Sequence, residues 1–97
     1  MYDIQFSKSA IKFLEKLKDK ELKQRLLKSI FLLKIEPYPK HNIKLLKPDN
    51  NKIRLRVGKY RILYSVKEKE LIVLIIEIDK RSNIYKNIKA SYNNSMI

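Results

Sequence analysis

Residues 51–85 read NKIRLRVGKYRILYSVKEKELIVLIIEIDKRSNIY, and the period of this stretch decides the fold. Ile53, Leu55 and Val57 fall on one parity and Lys52, Arg54 and Arg56 on the other, the two-residue alternation of a half-buried strand. Gly58, the only glycine in the chain, forms a short turn with Lys59. Tyr60, Ile62, Tyr64 and Val66 then share a face, against Arg61, Leu63 and Ser65. Lys67 to Glu70 turns the chain again. Leu71 to Ile78 is apolar on both parities, as expected of a central strand covered on both sides. Its odd-numbered side runs on through Ile75, Glu77, Asp79 and Arg81. The stretch therefore predicts a three-strand antiparallel meander with an arginine-lined face.

Upstream, Tyr2, Ile4 and Phe6 alternate with Asp3 and Gln5, which predicts another half-buried strand. Ser7 is placed as an N-cap, and Ala10, Phe13, Leu14 and Leu17 recur at helical spacing. Asp19 is a second N-cap candidate. Leu22, Leu26, Leu27, Ile30, Phe31 and Leu33 continue the apolar stripe until Pro37 stops it. The pattern is a helical hairpin over about Ser7 to Ile35, broken near Lys18 and Asp19. Glu36 to Asn51 reads as a loop, since Pro37, Pro39 and Pro48 oppose regular structure and Asn42, Asp49, Asn50 and Asn51 favour turns. The lone histidine, His41, reads as incidental there. Downstream, Ser82 or Asn83 opens a short helix around Ile84 to Ala90, and residues 91–97 form a flexible tail. The expected architecture is a single α+β domain over residues 1–90, ordered β-α-α-β-β-β-α. Its small, mostly antiparallel sheet carries the helical hairpin on one face and the arginines on the other.

The charge balance points to polyanions. Lys and Arg total 23 against 10 Asp and Glu, a net charge of +13, and such an excess attracts nucleic acid and speeds encounter with it. Lysine, isoleucine and asparagine are common throughout, which a compositional bias also explains, whereas the arginines occupy particular strand positions. With no cysteine there is no disulfide or thiolate metal site, which fits a reducing cytoplasm. The opening MYDIQFSKSA lacks the apolar run of a signal peptide, and Leu71 to Ile78 is too short to span a bilayer as a helix, so no membrane role is expected.

The usual catalytic kits are missing: no cysteine nucleophile, no histidine pair, no carboxylate cluster for a metal, no glycine-rich phosphate loop. Neither a metal nor a cofactor is expected. What remains is Lys52, Arg54, Arg56, Arg61, Arg81 and Tyr85. Guanidinium groups grip phosphate oxygens in bidentate fashion and stabilise charge that develops on a reacting phosphorus. A tyrosine can stack on a base. RNA brings its own nucleophile, the 2′-OH, so such a set can cut it without a metal. By spacing alone, the same residues read more readily as a solvated sheet face.

The segment Lys52-Ile-Arg-Leu-Arg-Val-Gly-Lys-Tyr-Arg-Ile-Leu-Tyr, followed by Val-Leu-Ile-Ile-Glu-Ile-Asp-Lys-Arg-Ser-Asn-Ile-Tyr, resembles the RelE/ParE superfamily of toxins from toxin–antitoxin pairs. The first strand, the Ser-x-x-Ala helix start and the leucine-rich hairpin agree, so the resemblance spans about residues 2 to 88. The filled cationic-plus-tyrosine set is closer to the RelE ribonucleases than to the ParE gyrase inhibitors. The resemblance implies a ribosome-dependent mRNA endonuclease that cuts in the decoding site and so stops translation. It implies that Lys52 and Arg54 flank the scissile phosphate and help activate the 2′-OH, and that Arg61 stabilises transition-state charge. It further implies that Arg81 binds the phosphate and assists the departing 5′-oxygen, and that Tyr85 stacks on or orients the nucleotide. Arg56, Lys59 and Lys80 are expected as further RNA contacts. An acidic, helical, RelB-like antitoxin is the implied partner, in a toxin–antitoxin hetero-oligomer. Asp79 stands where the family usually has a small residue, and either it or Glu77 can pair with Arg61 or Arg81 in competition with phosphate. The alternatives are a ParE-like gyrase inhibitor that acts by binding, and a nucleic-acid-binding relative with little catalysis.

Overall fold

The computed structural model describes residues 1–47 and 52–80. The expected helix at 84–90, the tail at 91–97 and the candidate residues Arg81 and Tyr85 lie outside the described residues. The elements are β1 (Asp3–Phe6), α1 (Lys8–Lys16), α2 (Lys20–Leu32), β2 (Ile43–Lys47), β3 (Lys52–Val57), β4 (Tyr60–Lys67) and β5 (Ile72–Lys80). The strands form one mixed sheet in the order β1-β5-β4-β3-β2. β1 lies parallel to β5, and the other three pairings are antiparallel. This is the expected α+β class, with the helical hairpin packed on one face.

Local chemistry sets the helix starts where the sequence placed them, while α2 ends three residues short of Ile35. Ser7 Oγ accepts a hydrogen bond from Ala10 N and caps α1; Asp19 Oδ1 accepts one from Leu22 N and caps α2. Each cap satisfies an N–H that the first helical turn leaves without a partner. The chain leaves helical geometry at Leu17, which separates the two helices. α2 ends at Leu32, ahead of Pro37, through a tight turn in which Lys34 N and Ile35 N donate to Phe31 O and Leu32 O.

The core fills the space between hairpin and sheet. Ala10 and Leu14 from α1, and Leu26, Ile30 and Leu33 from around α2, meet Ile53, Leu55 and Val57 of β3, Ile62, Tyr64 and Val66 of β4, and Val73, Ile75 and Ile78 of β5. Tyr2, Ile4 and Phe6 pack at its margin, as their alternation requires. Tyr64 is fully buried, and its hydroxyl donates to the carbonyl of Pro37 at 2.8 Å. Gly58 is the first of the two turn residues between β3 and β4, with φ 60°, the position that favours glycine in a type II′ hairpin. A Cβ there would also meet the Arg25 guanidinium of α2 at 3.2 Å.

Two expectations need correction. The segment read as a loop over Glu36 to Asn51 contains β2, which extends the sheet by pairing Ile43 with Leu55, Lys44 with Arg54 and Leu45 with Ile53. The prolines bracket this strand without entering it, and a strand on the sheet's edge needs a partner on one side only. Asn42, at φ 66°, turns its carbonyl to accept from Arg56 N at 2.7 Å and starts the ladder. The second correction concerns β5. Leu63 pairs with Glu77 but Tyr64 pairs with Ile75, so Ile76 is the extra residue of a β-bulge. The bulge reverses parity: Ile75 faces the core, yet Glu77 and Asp79 do not share its side, and Ile78 takes the core position instead. β5 also begins at Ile72, because Leu71 adopts φ 56° as the last residue of the preceding turn.

Candidate nucleic-acid interface

The sheet face opposite the hairpin carries the cations in cross-strand rows. In one row Arg56 of β3 is the Cα partner of Arg61 of β4, which in turn is the partner of Asp79 of β5. In the next row Lys44 of β2 partners Arg54 of β3, followed by Leu63 and Glu77. In the third row Lys52 partners Ser65 and then Leu74. Directly opposed residues have Cβ atoms about 4.5–5.5 Å apart, so each row is a contiguous strip of side chains. Charge is divided across the face: cations occupy β2, β3 and β4, while the carboxylates Glu77 and Asp79 stand on β5.

The core explains why the arginines point this way. Ile53, Leu55 and Val57 are drawn under the helices, and the pleat sends every intervening residue to the other side. Asn42, Ile43, Lys44, Arg54, Arg56 and Arg61 line a cavity of about 200 Å³ on this face. Arg54 and Arg61 are half-buried, while Lys44, Lys52 and Arg56 are exposed. A half-buried arginine can pack its stem and still present its guanidinium at the surface, which suits bidentate contact with phosphate.

Of the residues singled out in the sequence, the structure brings Arg54, Arg56 and Arg61 together in the cleft. Lys52 shares their face, one row beyond Arg54 and outside the cavity wall. Lys59 is exposed at the tip of the β3–β4 turn. Lys80 is not brought to this face. It is the Cα partner of Tyr60, whose ring stands edge-on to Phe13 of α1 at 5.9 Å, so its register places it on the helix side of the sheet. Lys44 is the residue that the sequence reading missed. The alternation Ile43-Lys44-Leu45 was its signal, too short to stand out between the prolines.

A family model described as the ParE toxin of a type II toxin–antitoxin system, parDE, matches residues 4–85. A protein of Methanocaldococcus jannaschii that carries the name toxin RelE1 is 34% identical over 88 residues, which is 89% of this chain and 97% of that protein. Among solved structures, the RelE–RelB complex of the archaeon Pyrococcus horikoshii OT3 superposes with a TM-score of 0.74 at 28% identity, covering 82% of this chain and 94% of that one. The RelBE2 toxin–antitoxin complex of Mycobacterium tuberculosis gives 0.69 at 27% identity, covering 82% and 98%. A basic, helix-backed sheet of this topology, matched along most of its length by such relatives, belongs to the RelE/ParE superfamily of type II toxin–antitoxin toxins.

Proposed function

We propose that this toxin is a metal-independent endoribonuclease that cuts mRNA in the decoding site of the ribosome and thereby inhibits translation. The observation that carries this reading is the convergence of Arg54, Arg56 and Arg61 in one cleft on the sheet face opposite the helices. The 2′-oxygen of the nucleotide before the cut attacks phosphorus, its proton passes to a base, and the 5′-oxygen leaves with a proton. The products are a 2′,3′-cyclic phosphate and a free 5′-hydroxyl, so no water or metal is consumed. Lys52 and Arg54 lie beside the attacking ribose and favour loss of the 2′-proton. Arg61 offers its fork to the equatorial oxygens, where charge accumulates. Arg56 adds a phosphate contact, and Lys59 at the turn adds charge near the path of the strand. Arg81 and Tyr85 complete the reading as the contact to the departing oxygen and the stacking surface.

The toxin acts in the cytoplasm and is silenced by an acidic, helical antitoxin bound in a hetero-oligomer. The toxin–antitoxin complexes among its structural relatives support this partner. A second reading, inhibition of DNA gyrase by binding, is favoured by the ParE description of the matching family.

Purified toxin mixed with ribosomes carrying an mRNA in the decoding site, with ends mapped by primer extension, tests the first reading. A discrete, ribosome-dependent cut is expected. Arg61→Ala should slow it by about 10²- to 10³-fold, the usual effect of removing one preorganised donor from developing charge, while the protein stays folded. Intact mRNA beside folded wild-type toxin refutes the nuclease, and inhibition of gyrase supercoiling then becomes the measurement that decides.

A further inference from the structure

We propose that Asp79 is a built-in competitor for Arg61: its carboxylate holds the guanidinium in the free toxin, and a substrate phosphate must displace it. This rests on reading the cleft as an RNA site. β5 brings two carboxylates to this face, and the register tells them apart. Glu77 is the Cα partner of Leu63, whereas Asp79 is the Cα partner of Arg61. Directly opposed side chains have Cβ atoms about 4.5–5.5 Å apart, within reach of an Asp–Arg contact. Both residues are half-buried, and both are engaged in interactions. Half-burial limits the screening that weakens fully exposed pairs. On its other flank Arg61 is the Cα partner of Arg56. A like charge on one side and an opposite charge on the other draw the guanidinium toward β5, while the cavity that Arg61 also walls lies on the β2–β3 side. The carboxylate is itself anchored, since Asp79 Oδ1 accepts from Lys80 N at 2.7 Å; Oδ2 can accept from a second donor. The bulge creates the arrangement. Without the extra residue Ile76, Asp79 would share the side of Ile75, under the helices; with it, Asp79 lands on the arginine face. Arg54 stands between Lys44 and Leu63, so among the described residues Arg61 is the cleft arginine that is directly opposed by a carboxylate.

Asp79→Asn tests this, because it removes the charge and keeps an oxygen for Lys80 N. Denaturant unfolding of wild type, Asp79→Asn, Arg61→Gln and the double variant measures the coupling of the pair without any RNA. A stabilising coupling is expected. In the ribosomal cleavage assay at fixed salt, Asp79→Asn should lower KM by about two- to fivefold, the equivalent of one opposed charge pair, and leave kcat near that of the wild type. Asp79→Glu, which keeps the charge, should keep the wild-type KM. Glu77→Gln makes the same change in net charge opposite Leu63 and should gain little. Zero coupling overturns the pairing. Coupling with an unchanged or raised KM in Asp79→Asn overturns the competition, makes Asp79 an aligning partner of Arg61 and leaves the nuclease reading standing. An equal gain in Glu77→Gln, or a gain that persists when Arg61→Gln is also present, overturns it as well, because net charge then accounts for the effect. Intact mRNA beside folded wild-type toxin overturns the RNA reading and the competition with it.

Discussion

Tyr64 joins three parts of the molecule through one hydroxyl. Its ring is buried under the hairpin, and its O–H donates to Pro37 O, which ties the chain leaving α2 to the middle of the sheet. Burial, reinforced by the nearby Tyr38, pushes the phenol well above its ordinary value of about 10. The sign of the linkage follows. Below pH 10 the phenol is protonated in both states, and its contribution to stability is complete. Above pH 10 the unfolded chain ionises while the folded one does not, so stability declines as pH rises toward the folded value. Tyr64→Phe is expected to lower stability by about 1–2 kcal/mol near neutral pH, because it leaves a buried carbonyl without its donor. It should also flatten the loss of stability above pH 10. Denaturant unfolding of both proteins at neutral and alkaline pH measures the two effects together.

Ser7 works at the scale of the element, because it fixes a strand as well as a helix. Its Oγ accepts from Ala10 N at the start of α1, and donates to the carbonyl of Ile76, the bulged residue of β5. Its N–H donates to Ile75 O at 2.9 Å. The bulge turns Glu77 and Asp79 away from the core and onto the face with the arginines, so the cap of α1 also holds the acidic border of the cleft. Ser7→Ala should cost about 1–2 kcal/mol, the usual range for a lost cap, and should speed amide exchange around Ile76 more than in β3, as read by hydrogen exchange. The sequence made β1, the two helices, β3 and β4 legible, because each carries an uninterrupted period of two or 3.6 residues. β2 was hidden by its brevity between Pro39 and Pro48, and Lys44 was hidden with it. The bulge was hidden for another reason. Leu71 to Ile76 is apolar at every position, so its sequence carries no parity, and only pairing with β4 reveals where the count slips. Arg54, Arg56 and Arg61 were legible as members of one face; that Lys80 belongs to the opposite face was not, since its parity depends on that slip.

For the whole molecule, the net charge of +13 is concentrated into function by the sheet, which gathers cations on three strands and leaves carboxylates on the fourth. The charge should govern encounter more than lifetime. Association with the proposed acidic antitoxin is expected to slow by about tenfold or more from low to high salt, with much less change in dissociation, as measured by stopped-flow mixing and by competition. The parallel pairing of β1 with β5 has a different kind of consequence, for the order of events during synthesis. Ser7 reaches Ile76 across 69 positions of sequence, and among the described residues β1 pairs in the sheet with β5 alone. While a ribosome is still making the first seventy or so residues, β1 has nowhere to dock and α1 lacks the strand it lies against. Closure of so long a loop comes late and slowly. The parallel edge of the sheet is therefore the last part of the described fold to close, seated only once β5 has emerged to receive β1.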